Sequence, residues 1–292
     1  MEETEHYRTV RRLLEEIDLP FRPRRFDFDA LDFDVKEHIA KNLAHLRKRK
    51  GFTQSSFAKK LGISLSQYKK YESAREIIRL DIAQFISIQF GYTLFQLVEG
   101  SQYETMVAHQ EVVPESELLT YLTKSLLDEH FERLLVLLMQ FVDDPKGRKG
   151  VYAYSGVDAG TFDAALTENK QHIYQYLADG ILAVRKHYGL TQEYIADIAN
   201  VSVSTYQSYE SPDHDPKFNM MAGVRYCAAM QLHPYVVMHD TFFVKIRAMQ
   251  NTRIALVKDV LATYDDDTLK KIGPLIEGFH QSIQAFPGAV LF

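Results

Sequence analysis

Apolar residues along this chain recur at intervals of three and four far more consistently than at intervals of two. Tyr7, Val10, Leu14 and Ile17 form one such stripe, isolated downstream by Pro20 and Pro23. Ile39, Leu43 and Leu46 form a second, and Gly51 follows where a helix C-cap is expected. Thr53 is a good N-cap ahead of Phe57, Ala58 and Leu61, and Ser64 is another ahead of Tyr68 and Tyr71. Gly62, between these two segments, suits a tight turn that needs positive φ. A fourth helix is predicted through Ile82, Ala83, Phe85, Ile86 and Ile88, and a short fifth after Gly91 through Leu94, Leu97 and Val98. One segment, Phe26–Val35 (FDFDALDFDV), approaches period two. It is read as an extended acidic-aromatic strap, with Asp34 available to cap the next helix. The expected fold is all-α.

The same pattern occurs twice. RKRKGFTQSSFAKKLGISLSQYKKYES at 47–73 aligns with RKHYGLTQEYIADIANVSVSTYQSYES at 185–211 when 138 is added to each number. Gly51, Thr53-Gln54, Ala58, Ser64, Ser66, Tyr68 and Tyr71-Glu72-Ser73 all meet identical residues at that offset, which marks an internal duplication. Weaker similarity continues on both sides, with a two-residue length difference between Pro216 and about Met230. Each copy is expected to end in a helix pair, near 116–142 and 251–283. The apolar stretch Leu134–Val142 is too wide for one amphipathic stripe and is expected at an interdomain core or subunit interface.

Composition narrows the class. The 292 residues are 46% hydrophobic and 25% charged, as in ordinary globular domains, and the length suggests two of them. A single cysteine excludes a disulfide framework and a cysteine-rich zinc site. No apolar run approaches a membrane span, and the acidic start Met1-Glu2-Glu3 is unlike a signal peptide, so a cytoplasmic location is expected. The net charge of −5, taken whole, argues against a polybasic nucleic-acid binder.

Two short helices joined around Gly62 suggest a helix-turn-helix, and here the residues LRKRKGFTQSSFAKKLGISLSQYKKYES resemble the XRE (lambda-repressor-like) family. Asn200 replaces the turn glycine in the second copy, which is tolerable because Asn adopts the left-handed conformation. The resemblance implies that the third helix enters the major groove of double-stranded DNA while the second crosses the backbone. By that resemblance Gln54 bonds a phosphate or flanking base, Leu65, Ser66, Gln67 and Lys70 are the groove-facing candidates, and the capping Ser64 is counted with them as DNA-binding. Lys69, Arg75 and Arg79 hold phosphates, a contact that positions without reading sequence. The corresponding second-copy set is Gln192, Ser202, Val203, Ser204, Thr205 and Ser208, with Gln207 beside them.

Charge divides along the same lines. Residues 37–100 carry 11 Lys and Arg against 5 Asp and Glu, a net of +6, whereas residues 172–240 carry 4 against 7, a net of −3. Basic charge is therefore concentrated in the first copy, and Asp213 and Asp215 sit in the second-copy loop that would approach phosphate. The second copy is either a DNA reader or a repurposed dimerisation, partner or effector domain.

No P-loop, GxGxxG, HExxH or GxSxG occurs, the 11 histidines show no metal-ligand spacing, and Cys227 is expected as an inert buried thiol. No enzyme chemistry, cofactor or metal is expected. Asp265-Asp266-Asp267 is expected to cap the last helix rather than hold a cation.

The organisation expected is an N-terminal helix and strap (1–36), a first helix-turn-helix domain of five helices (37–100), and a helical hairpin and linker (101–160). A second, diverged domain (161–240) and a C-terminal hairpin and tail (241–292) follow. The function expected is sequence-specific DNA binding in transcription regulation, mainly through the first copy. The resemblance implies a homodimer on a pseudo-palindrome, with residues 1–36 or the second copy available to a protein partner. Two alternatives stand beside it: a protein-interaction module of antitoxin or anti-regulator type, and a tandem two-headed DNA reader acting as a monomer.

Overall fold

The computed structural model describes residues 3–17, 22–90, 94–103, 128–140, 159–211 and 218–285. Among them every regular element is a helix, and an isolated antiparallel bridge joins Arg79 to Asn219. The segments at 18–21, 91–93, 104–127, 141–158 and 212–217, with the expectations that fall on them, including Asp213 and Asp215, lie outside the described residues.

After α1 (Glu5–Ile17), the first copy comprises α2 (Phe28–Arg49), α3 (Gln54–Leu61), α4 (Leu65–Glu72), α5 (Leu80–Phe90) and α6 (Leu94–Val98). A further helix, α7, spans Asp128–Met139. The second copy comprises α8 (Ala159–His187), α9 (Gln192–Ile198), α10 (Val203–Tyr209), α11 (Met220–Met230) and α12 (Pro234–Val237), followed by α13 (Phe242–Leu261) and α14 (Asp266–Ala285). α5 and α11 have the same length and start 140 residues apart, so the two extra residues of the second copy fall before Phe218, and Arg79 and Asn219 are equivalent positions.

The structure corrects the strap. Phe28–Val35 is the beginning of α2, with Asp27 as N-cap accepting from the Ala30 N–H at 3.2 Å. Phe28, Leu31 and Val35 share one buried face, while Phe33 is 71% exposed. The interspersed aspartates imitate strand alternation, but the buried residues follow a helical spacing. Asp34 lies inside α2 rather than capping it, and its carboxylate accepts from the Gln102 N–H.

The chain divides into two compact units. The first comprises Met1–Ser87, Tyr92–Val112 and Thr167–Val244, and so holds both copies. Its core takes Leu43, Leu46, Phe57, Tyr68 and Tyr71 from the first copy, and Ile181, Ile195, Tyr206 and Val224 from the second. The N-terminal segment is tied to the second copy. Thr4 Oγ1 donates to Asp179 at 2.8 Å, the Arg24 N–H donates to the Ala229 carbonyl at 2.9 Å, and Arg25 pairs with Asp197. Arg225 of α11 donates through Nε to Asp32 of α2 at 3.0 Å, lies over the Phe28 ring, and donates to the Asn200 carbonyl at 2.8 Å.

The second unit comprises Ile88–Gly91, Val113–Leu166 and Lys245–Phe292. In it α7 buries Phe131, Leu134, Leu135 and Leu138 against Val257, Val260, Ile272 and Ile276. The buried residues of the described part of the Leu134 stretch thus pack within this unit, with Val136 facing outward. Asp265 caps α14, accepting from the Thr268 N–H at 2.7 Å.

Candidate nucleic-acid interface

Local capping builds the motif. Thr53 and Ser56 form a reciprocal capping box at the start of α3, and Gly62 ends that helix in the left-handed region at φ +70°. The Ser64 side chain accepts from the Gln67 N–H at 3.1 Å and starts α4. Tyr68 and Tyr71 are buried on one side of α4, so Leu65, Ser66, Lys69 and Lys70 stand exposed on the other. Leu65 is 38% exposed.

Beneath this face lies a network of charged groups that the reading of site residues missed. Arg47 of α2 donates to Glu72 through Nε at 2.9 Å and Nη2 at 2.8 Å, and through Nη1 to the Phe52 carbonyl at 2.9 Å. The other Glu72 oxygen accepts from Gln54 Nε2. Gln54 at the start of α3 is therefore oriented by the last residue of α4, which ties the two helices of the motif together. The pair is mostly buried, so these hydrogen bonds are what offsets the cost of taking both charges from water.

The second copy rebuilds the same network. Arg185 donates to Glu210 at 2.6 and 2.8 Å and to the Leu190 carbonyl at 3.3 Å, and Gln192 Nε2 donates to Glu210 at 2.8 Å. The sequence signal was present: Arg, Gln and Glu are identical at 47/185, 54/192 and 72/210 although all are polar. Asn200 adopts φ +52°, as its place at the turn demands, and Ser202 caps α10 by accepting from the Thr205 N–H at 3.0 Å. Ser202, Ser204 and Gln207 are exposed, and Val203, Thr205 and Ser208 are half-buried. The Ser208 hydroxyl donates to the Thr205 carbonyl at 2.6 Å, and Gln207 donates to Gln192 at 3.2 Å.

The remaining first-copy residues separate into two places. Gln67 Nε2 and Lys70 Nζ both donate to Glu76, each at 2.7 Å, and these bonds hold the Glu76 carboxyl below the usual carboxylate range. Arg75 is exposed in the same turn. Arg79 turns away from Glu76, with its backbone reaching Tyr71 of α4: its guanidinium donates to Asp81 at 3.0 and 2.8 Å, and its backbone pairs with Asn219. Cys227 is buried, and burial pushes its thiol up to about 12. Among the described residues no group of three or more His, Cys, Asp or Glu is placed to hold a metal ion, and no helix is long and apolar enough to cross a membrane.

No curated protein and no solved structure matches the chain. The helix-turn-helix family model matches it twice, at residues 43–97 and 181–221, which are α2 to α6 and α8 to α11 in whole or part. In these two segments the chain carries tandem copies of the XRE, lambda-repressor-like helix-turn-helix of DNA-binding transcription regulators.

Proposed function

We propose that the protein is a sequence-specific DNA-binding transcription regulator whose principal reading element is α4 of the first copy. One observation carries this reading: Leu65, Ser66, Lys69 and Lys70 form the exposed face of a helix that is capped at its start and lies in the only strongly basic region of the chain. Leu65 suits a thymine methyl, Ser66 either base edge, and Lys70 a guanine or a phosphate. Gln54, held by Glu72, is set to donate to the backbone that α3 crosses. The excess of basic over acidic residues in 37–100, eleven against five, favours the counterion release that gives affinity.

Selection from a randomised duplex library, followed by affinity measurement at several salt concentrations, tests this. The intact chain is expected to enrich a defined site. Lys70→Ala is expected to weaken that site at least about tenfold, the loss of one charge-assisted base or phosphate contact. Failure to enrich any site, or unchanged affinity in both Lys70→Ala and Gln54→Ala, rejects the reading. Regulators of this geometry work with two recognition helices. A second copy of the chain, in the homodimer the resemblance implies, is one source of the second helix; the second copy of the motif is the other.

A further inference from the structure

Equivalent residues of the two copies meet one another. Arg79 and Asn219 each precede the fourth helix of their copy, and they pair as an antiparallel bridge, with the Met220 N–H donating to the Ile78 carbonyl at 3.0 Å. Position i touching its own equivalent is the mark of a two-fold relation, here within one chain.

The helices around this bridge repeat the exchange. The N-terminal turns of α2 reach the fourth helix of the second copy, where Asp32 pairs with Arg225. Reciprocally, α8 reaches the fourth helix of the first copy, where Asn169 donates to Gln84 at 3.1 Å and the Tyr174 hydroxyl donates to Asp81 at 3.2 Å. Asp32 and Lys170 are equivalent at the offset of 138. Through Arg225, Asp32 secures the turn carbonyl of Asn200, while Lys170 Nζ lies 4.0 Å from where a Cβ on the turn residue Gly62 would stand. Each motif's turn is thus approached by the first helix of the other copy.

From this reciprocity we infer that one chain is a closed pseudo-dimer of unequal reading heads, and that it binds as a monomer to two unlike half-sites. The inference rests on the reading of α4 as a DNA-contacting helix. A two-fold relation disposes α4 and α10 symmetrically about the Arg79–Asn219 bridge, the relation that two consecutive major-groove faces have to a duplex dyad. The heads differ in chemistry. Leu65, Gln67, Lys69 and Lys70 of α4 correspond to Val203, Thr205, Gln207 and Ser208 of α10, so the first head carries charge and the second carries hydroxyl and amide groups. A head with net −3 around it has little hold on DNA alone. Linked to a basic head within one chain, it meets its half-site at the high effective concentration of an intramolecular partner. Unlike side chains on the two helices require unlike half-sites, so the site lacks two-fold sequence symmetry.

The test uses the full chain on its selected duplex, with light scattering for stoichiometry, a hydroxyl-radical footprint, and the variant Ser204→Glu. Ser204 is exposed in the first turn of α10, where a carboxylate suits the helix, so folding is retained. One chain per duplex, protection across two half-sites about one helical turn apart, and a tenfold or greater loss in Ser204→Glu with protection lost at one half-site only are expected. Two chains per duplex, protection of a single groove face, or full affinity in Ser204→Glu overturns the inference while leaving α4 as a reader. Absence of any selected site overturns the underlying reading as well.

Discussion

Gly180, within α8, lies directly against the backbone of Val237 in α12: a Cβ at position 180 would stand 2.1 Å from the Val237 carbonyl oxygen. The equivalent residues of the first copy are Asn42 and Leu97, and there the Asn42 amide donates to the Leu97 carbonyl at 3.1 Å. With no side chain at 180, the Val237 carbonyl is bonded instead by His6 Nε2 of α1 at 2.9 Å. The first copy satisfies this carbonyl from within; the second satisfies it with the N-terminal helix. Gly180→Ala is therefore expected to force α8 and α12 apart and to cost about 3 kcal/mol, since backbone rather than a movable side chain blocks the added methyl. Chemical denaturation should read the loss, and amide exchange should rise across α1. Unchanged stability would show that the two helices are not packed this closely.

Gly223 presents the opposite case. It lies in α11 beside an apolar cavity of about 60 Å³ lined by Leu80, Leu177, Phe218, Met220 and Val237. A Cβ there would meet Phe218 Cε1 at 3.6 Å, an ordinary contact. Gly223→Ala is expected to stabilise the fold by about 0.5–1 kcal/mol, because alanine restricts the unfolded chain and fits the helix without strain. A lower midpoint in urea would refute it.

His233 makes stability depend on pH. Its Nδ1 accepts from the Tyr235 N–H at 3.1 Å to cap α12, and burial pushes its pKa down to about 4. The unfolded chain takes up the proton near 6.5 and the folded chain only near 4. The unfolded state therefore binds more protons between those values, and stability falls as pH is lowered through that window. The contribution is on the order of 3 kcal/mol, fully present above 6.5. His233→Asn keeps a capping acceptor without a titrating ring. The difference in melting temperature between wild type and variant should change between pH 6.5 and 4 and be flat above 7.

Glu76 restrains the proposed reading face. It holds both Gln67 and Lys70 at 2.7 Å in an exposed turn. Glu76→Gln removes a negative charge from that turn and releases Lys70. Affinity for the selected duplex is expected to rise severalfold, and the slope of log K against log salt to steepen by about one. Weaker binding with an unchanged slope would mean that Glu76 positions Lys70 for the base rather than withholding it.

Much of each motif was legible because it is local. Thr53, Ser64 and Ser202 act on N–H groups three residues ahead, and Gly62 and Asn200 take their φ from the turn they occupy. The Phe26–Val35 segment misled because its aspartates alternate with aromatics, and alternation reads as strand until one knows that Phe28, Leu31 and Val35 face a core. Arg47 and Glu72 were legible in principle, as polar identities kept in both copies, but their meeting joins residues 25 apart. Arg79 illustrates a stronger limit. As a basic residue after a recognition helix it suggests a phosphate contact, and nothing near it in the chain points to a bridge with Asn219.

By itself, then, the sequence determined the helices and caps of the two motifs, the duplication itself and the concentration of positive charge in one copy. All of these depend on neighbours within a turn or two, or on counting. Only the tertiary structure decided that both copies share one unit, that α1 and the start of α2 dock on the second copy, and that equivalent residues meet across a seam. Those outcomes depend on which buried faces and which distant carbonyls and carboxylates are brought together, and hydrophobic burial carries no address along the chain.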